Sequence, residues 1–97
     1  MSNSHPLEQL RILFDSADIA RIKTAADEKK LALSFWVEEA IKERLENGFD
    51  DKVFVRRGRE QLRIRVPKVL IDEILDSGPV PDLKIWIKEA IYSKLES

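Results

Sequence analysis

The chain has 97 residues, a formal net charge of −1, no cysteine and one histidine. That length fits one compact domain, the missing cysteines remove disulfides and the usual zinc sets, and the charge argues against an indiscriminate nucleic-acid binder. No apolar run approaches the roughly 18–20 residues of a membrane span, so no membrane partner is expected. The leading MSNSHP has neither the basic nor the apolar region of a signal peptide and reads as a short mobile tail, with no special role for His5.

In chain order, the first element is the alternating stretch around Leu10–Phe14. When extended, it puts Leu10, Ile12 and Phe14 on one face and Gln9, Arg11 and Leu13 on the other, the period-two pattern of a half-buried strand. Asp15-Ser16-Ala17-Asp18 then offers N-cap oxygens. Ile19, Ile22 and Ala26 follow at helical spacing, so a first helix is expected over about residues 16–30. A second helix is expected in FWVEEAIKERLE, Phe35–Glu46, where Val37, Ala40, Ile41 and Leu45 form a core-facing stripe. Glu38, Glu39, Lys42, Glu43 and Arg44 read as its solvated face, joined by i,i+4 pairs. Gly48 ends the helix as a C-cap glycine would.

Residues 49–59, FDDKVFVRRGR, form a long connector with a short extended piece expected at Val53–Val55. Stretched out, it reaches roughly 35–40 Å, enough to return the chain to the start of a paired strand. Between Val53 and Lys68 there are six basic residues and one acid, Glu60, an asymmetry more informative than the total charge. Arg56, Arg57 and Arg59 are either a flexible basic arm or simply keep the connector soluble.

Beyond the connector the pattern starts again. EQLRI recurs at Glu60–Ile64 after Glu8–Ile12, with Leu62, Ile64 and Val66 on one face and Gln61, Arg63 and Arg65 on the other. Pro67 opens a third helix through Val69, Leu70, Ile71, Ile74 and Leu75, which GPVP at Gly78–Pro81 stops. Asp82 is a good cap for the last helix, IWIKEAIYSKLE at Ile85–Glu96, where Ile87, Ala90, Ile91 and Leu95 repeat the core stripe. Trp36 and Trp86 recur in step and read as core or interface anchors rather than base-stacking platforms. The offset between copies is 52 residues at the strands and 50 at the last helices.

A duplication of this kind predicts one compact domain over residues 1–97 made of two repeats, 8–47 and 60–97, joined by a basic connector at 48–59. Each half alone is too small to bury a self-sufficient core. A lone strand with unpaired ladder groups is unstable, so the two strands are expected to pair antiparallel about a pseudo-twofold axis, under four helices. The fold class is therefore mainly α with a two-stranded antiparallel β-ribbon. An exchange of halves between two chains, giving four copies, fits the same pattern.

Strand–helix–helix with alternating LRIRVP at Leu62–Pro67, a short turn, and then a helix containing Glu-Ala-Ile resembles the ribbon-helix-helix fold of MetJ/Arc/CopG-type DNA-binding proteins. The resemblance covers nearly the whole chain, here as two tandem copies in one pseudo-dimer. It implies sequence-specific binding of double-stranded DNA by a ribbon in the major groove, as a transcriptional repressor or as an accessory factor at a plasmid or phage site. By position, the base readers would be Gln9, Arg11 and Leu13 from one strand and Gln61, Arg63 and Arg65 from the other. Phosphates would be held at the starts of the second helices, Leu33–Ser34 and Leu83–Lys84, with Ser34 and Lys84 helping and Arg56, Arg57 and Arg59 on the backbone. Asp82 stands where phosphate would approach, and Ala32 at the matching site caps poorly. Leu13 stands where the other strand has Arg65, so the two halves cannot read identical bases.

The absence of cysteine fits the reducing cytosol, so a cytoplasmic protein is expected, nucleoid-associated when DNA-bound; the resemblance further implies that pseudo-dimers associate on adjacent half-sites. Read blandly, Arg11, Arg63 and Arg65 are the solvated face of an ordinary strand. A different class of function is a protein-interaction module on the same fold, antitoxin-like or a phage-defence partner, with DNA binding weakened or lost. Catalysis is not expected: there is no cysteine, no histidine beside a nucleophile, no glycine-rich phosphate loop and no metal-spaced cluster, and the acids read as surface helix stripes. No cofactor is expected.

Overall fold

Strand–helix–helix, twice, is the order found. It runs β1 (Leu7–Phe14), α1 (Ser16–Glu28), α2 (Leu33–Asn47), β2 (Glu60–Pro67), α3 (Lys68–Asp76) and α4 (Leu83–Glu96). The structure, a computed structural model, describes residues 7–48, 55 and 57–96. The tail with His5, Val53 of the expected extended piece, and Arg56 lie outside the described residues.

β1 and β2 pair antiparallel as a two-stranded ribbon. Its register sets Gln9 opposite Arg65, Arg11 opposite Arg63, and Leu13 opposite Gln61. Arg11 thus faces its own counterpart in the repeat. The alternation works as the sequence predicts: Ile12, Phe14, Leu62, Ile64 and Val66 are buried, while the residues between them point to solvent. A ribbon of two strands is marginal alone, and the helices cover its apolar side. One cluster of buried residues draws on both copies, joining those strand residues to Ile19, Ile22, Trp36, Val37, Ile41, Ile74, Ile87, Ile91 and Tyr92. Of the apolar residues in α3, Leu70, Ile71 and Ile74 are buried, whereas Val69 and Leu75 are exposed.

The element ends show where local chemistry agrees with the sequence and where it does not. Gly48 caps α2 at φ 83°, a left-handed conformation that suits glycine, and its N–H donates to the Arg44 carbonyl at 2.9 Å. α1 stops at Glu28, short of the expected end. Lys30 takes φ 57° and the Leu31 N–H turns back to the Ala26 carbonyl at 2.9 Å, closing the helix. The connector end is anchored rather than free. Val55 packs on the core, and a Cβ on Gly58 would fall 1.8 Å from the Phe14 carbonyl carbon, so only glycine fits there.

Asp82 accepts hydrogen bonds from the N–H groups of Lys84 at 3.0 Å and Ile85 at 3.3 Å, capping α4 as expected. Asp15 occupies the N-cap position of α1 without a side-chain cap bond. Asp82→Ala is therefore expected to lower stability by about 1 kcal/mol. Asp15→Ala should cost clearly less. Urea unfolding midpoints of the two variants check the difference.

Candidate nucleic-acid interface

Period-two alternation puts Gln9, Arg11 and Leu13 on one side of β1, and antiparallel pairing brings them against Arg65, Arg63 and Gln61. All six are exposed. The same face of the ribbon carries Leu7 and Pro67 at one end, and its strand positions include no acid. Among the described residues, no carboxylate lies within ion-pair distance of Arg11, Arg63 or Arg65.

This arrangement works against the fold. Directly opposed residues of a ribbon hold their Cβ atoms roughly 4.5–5.5 Å apart, and like charges placed so are destabilising. Arg11 opposite Arg63, with Arg65 on the diagonal, concentrates positive charge that no carboxylate among the described residues pairs with. Guanidinium forks and Gln carboxamides are also the groups suited to base edges in the major groove.

The other expected site residues are distributed differently. Ser34 is half-buried and Lys84 exposed, at the starts of α2 and α4. Those two starts are chemically unlike. Asp82 fills the α4 end with a carboxylate, whereas Ala32 at the α2 N-cap supplies no side-chain acceptor. Arg57 and Arg59 are exposed in the segment that leads into β2.

Two features escaped the sequence reading. Arg44, expected on a solvated face, is buried: its Nη1 donates to the Trp86 carbonyl at 2.5 Å, pairs with Glu89 at 3.2 Å, and its guanidinium carbon lies 4.5 Å from the Trp86 ring centroid. Lys94 makes the reverse connection. It reaches Glu43 at 2.5 Å and Glu39 at 3.5 Å, and lies 5.7 Å from the Trp36 centroid. The expected i,i+4 pairs thus give way to pairs between copies. Burial pushes the Arg44 guanidinium below its ordinary pKa, an effect that Glu89 opposes.

Asp18 contradicts the expectation that the acids lie on the surface. It is fully buried and accepts a hydrogen bond from the Tyr92 hydroxyl at 2.5 Å, with Arg21 at 3.4 Å. Burial also lowers the Lys88 ammonium, against the attraction of Asp18. Arg44 and Lys94 are repeat counterparts, as are Glu39 and Glu89, and Trp36 and Trp86. That recurrence of cation, acid and indole was the signal available. Nothing of the kind announced Asp18, whose counterpart is Leu70.

A cavity of about 550 Å³ opens between the end of α2, the turn at Ser77–Asp82 and α4, with Arg44, Trp86 and Glu89 in its wall. It shares no residue with the outward face of the ribbon. Among the described residues no helix is long and apolar enough to cross a membrane, and no group of His, Cys, Asp or Glu is arranged to hold a metal ion. No family model, curated protein or solved structure matches this chain.

Proposed function

We propose that this protein binds double-stranded DNA sequence-specifically, as a repressor or as an accessory factor at a plasmid or phage site, by laying the outward face of its ribbon in the major groove. In this reading the chain is two fused ribbon-helix-helix copies, paired about a local twofold axis through Arg11 and Arg63. The reciprocal Arg44–Glu89 and Lys94–Glu39 bridges between copies support that pairing. The observation that carries the reading is the row of three exposed cross-strand pairs, rich in Arg and Gln and free of acid.

Dimensions agree with it. Alternate residues of a strand lie roughly 6.8 Å apart, about two base-pair rises. A ribbon with its strands about 4.8 Å apart fits a groove about 12 Å wide. An anionic partner would also relieve the repulsion between Arg11 and Arg63. Of the phosphate contacts, the uncapped start of α2 at Ser34 suits an anion better than the α4 start beside Lys84, where Asp82 repels it.

Selection of the purified protein on a random-sequence duplex pool at moderate salt tests the proposal. Enrichment of a motif over successive rounds is expected, with retention that falls steeply as salt rises. Absence of enrichment would overturn the reading.

Phe35 and Ile85, counterparts in the repeat and 60% and 52% exposed, favour a second role for the helix starts in contacting another protein surface. That surface is either a second chain on an adjacent half-site or an unrelated partner. Retention of a protein partner with little sensitivity to salt, and no DNA motif, would favour the interaction module over the DNA reader.

A further inference from the structure

The register sets the Leu13–Arg65 difference between the copies at opposite ends of the outward row. On the outward face, the local twofold through the Arg11–Arg63 pair exchanges Gln9 with Gln61 and Leu13 with Arg65. One end of the row therefore holds a Gln and an Arg, Gln9 opposite Arg65. The other end holds a Gln and a Leu, Gln61 opposite Leu13. Two residues before the shared Gln, the first copy has Leu7 where the second has Arg59, just ahead of β2. Two positions out on either side, the shared Gln-Leu-Arg thus has leucine in the first copy and arginine in the second.

Leu13 is not a core residue displaced by accident. It is 46% exposed, lies between side chains that are all polar, and belongs to the face opposite the buried Ile12 and Phe14. An exposed leucine there offers no hydrogen bond, but it does offer an apolar surface suited to the C5-methyl of thymine. At the symmetry-related position, Arg65 offers a bidentate donor fork suited to guanine O6 and N7.

Resting on the DNA-reading proposal, we infer that the target is a broken palindrome. Its centre, read by Arg11 and Arg63 and flanked by Gln9 and Gln61, is symmetric. Its ends are not: the guanine that Arg65 reads is matched, across the twofold, by a base pair presenting a thymine methyl to Leu13. One face of a single chain then gives the complex a direction on the DNA, which a symmetric dimer of identical copies lacks.

The test compares selected motifs for the wild-type chain, Leu13→Arg and Arg65→Leu, all at solvent-exposed positions. Wild type is expected to enrich a symmetric core with unequal ends. Leu13→Arg should restore guanine at the second end, converting the motif to a full palindrome and preferring it over the wild-type site by roughly 5- to 150-fold. Arg65→Leu should make both ends alike in the opposite sense, keeping the core. A wild-type motif already symmetric at the ends, or a Leu13→Arg motif unchanged from wild type, would overturn the broken palindrome while leaving DNA reading intact. No motif from any of the three would overturn the DNA reading and this inference with it.

Discussion

Replacing Arg63 and Arg65 together by alanine is expected to weaken binding to the selected DNA site by about 30- to 25,000-fold. On the proposed reading each arginine grips a base edge bidentately, a contact worth about 1–3 kcal/mol of discrimination, and the two share one face whose strand positions carry no acid. Stability should change by no more than about 0.5 kcal/mol, because both side chains are exposed and neither pairs with a described carboxylate. Removing Arg63 even relieves its repulsion with Arg11. The variant therefore separates reading from folding. Fluorescence anisotropy on the selected duplex, beside urea unfolding, measures both; unchanged affinity in a folded variant would refute readout by this face.

Trp36→Ala is expected to have the largest effect on the fold. The indole is 1% exposed, among the largest fully buried side chains, and the Lys94 ammonium from the other copy lies over its ring. Removing a buried Trp typically costs about 3–5 kcal/mol, through lost burial and the cavity left behind. Small domains hold only about 5–15 kcal/mol in total, so the variant should unfold at a much lower urea concentration. Trp86 gives an internal comparison. It is half-buried, and the Arg44 guanidinium stacks on it at 4.5 Å. Trp86→Ala should cost less than Trp36→Ala, and the reverse order would contradict the placement of the two indoles.

Much of the architecture was legible because its determinants are local. Alternation at Leu10–Phe14 and Leu62–Val66 marked both strands, and helical stripes marked Val37, Ala40 and Ile41 with Ile87, Ala90 and Ile91, all of them buried. Asp82 and Gly48 announced a helix start and a helix end through their own short-range chemistry. The strands ran longer than alternation of apolar residues showed, since Leu7, Glu8 and Gln9 pair in the ribbon while remaining exposed.

The interior between the copies was not legible in this way. A charged residue on a single amphipathic helix reads as solvated, because a helix in isolation has no partner to offer it. Arg44 and Lys94 become buried only when α2 and α4 pack together and bring Glu89, Glu39 and Glu43 within reach. Long basic side chains tolerate this, laying apolar stems against neighbouring rings and keeping the charged head paired. Asp18 needed still more: its partner Tyr92 lies near the other end of the chain and has no equivalent in the first copy, where Lys42 stands. Of the candidate site, the residue types and their common face were readable from alternation, whereas their cross-strand partners required the register.

The most direct measurement is methylation interference on the selected duplex. Guanine N7 faces the major groove, so methylating it blocks an arginine fork on that edge, while methylation at adenine N3 obstructs the minor groove. Exclusion from the bound fraction of duplexes methylated at the guanines of the motif, without an effect of adenine N3 methylation there, is the result expected for a ribbon that reads base edges in the major groove. Interference confined to adenine N3, or none at the guanines of the motif, would contradict it.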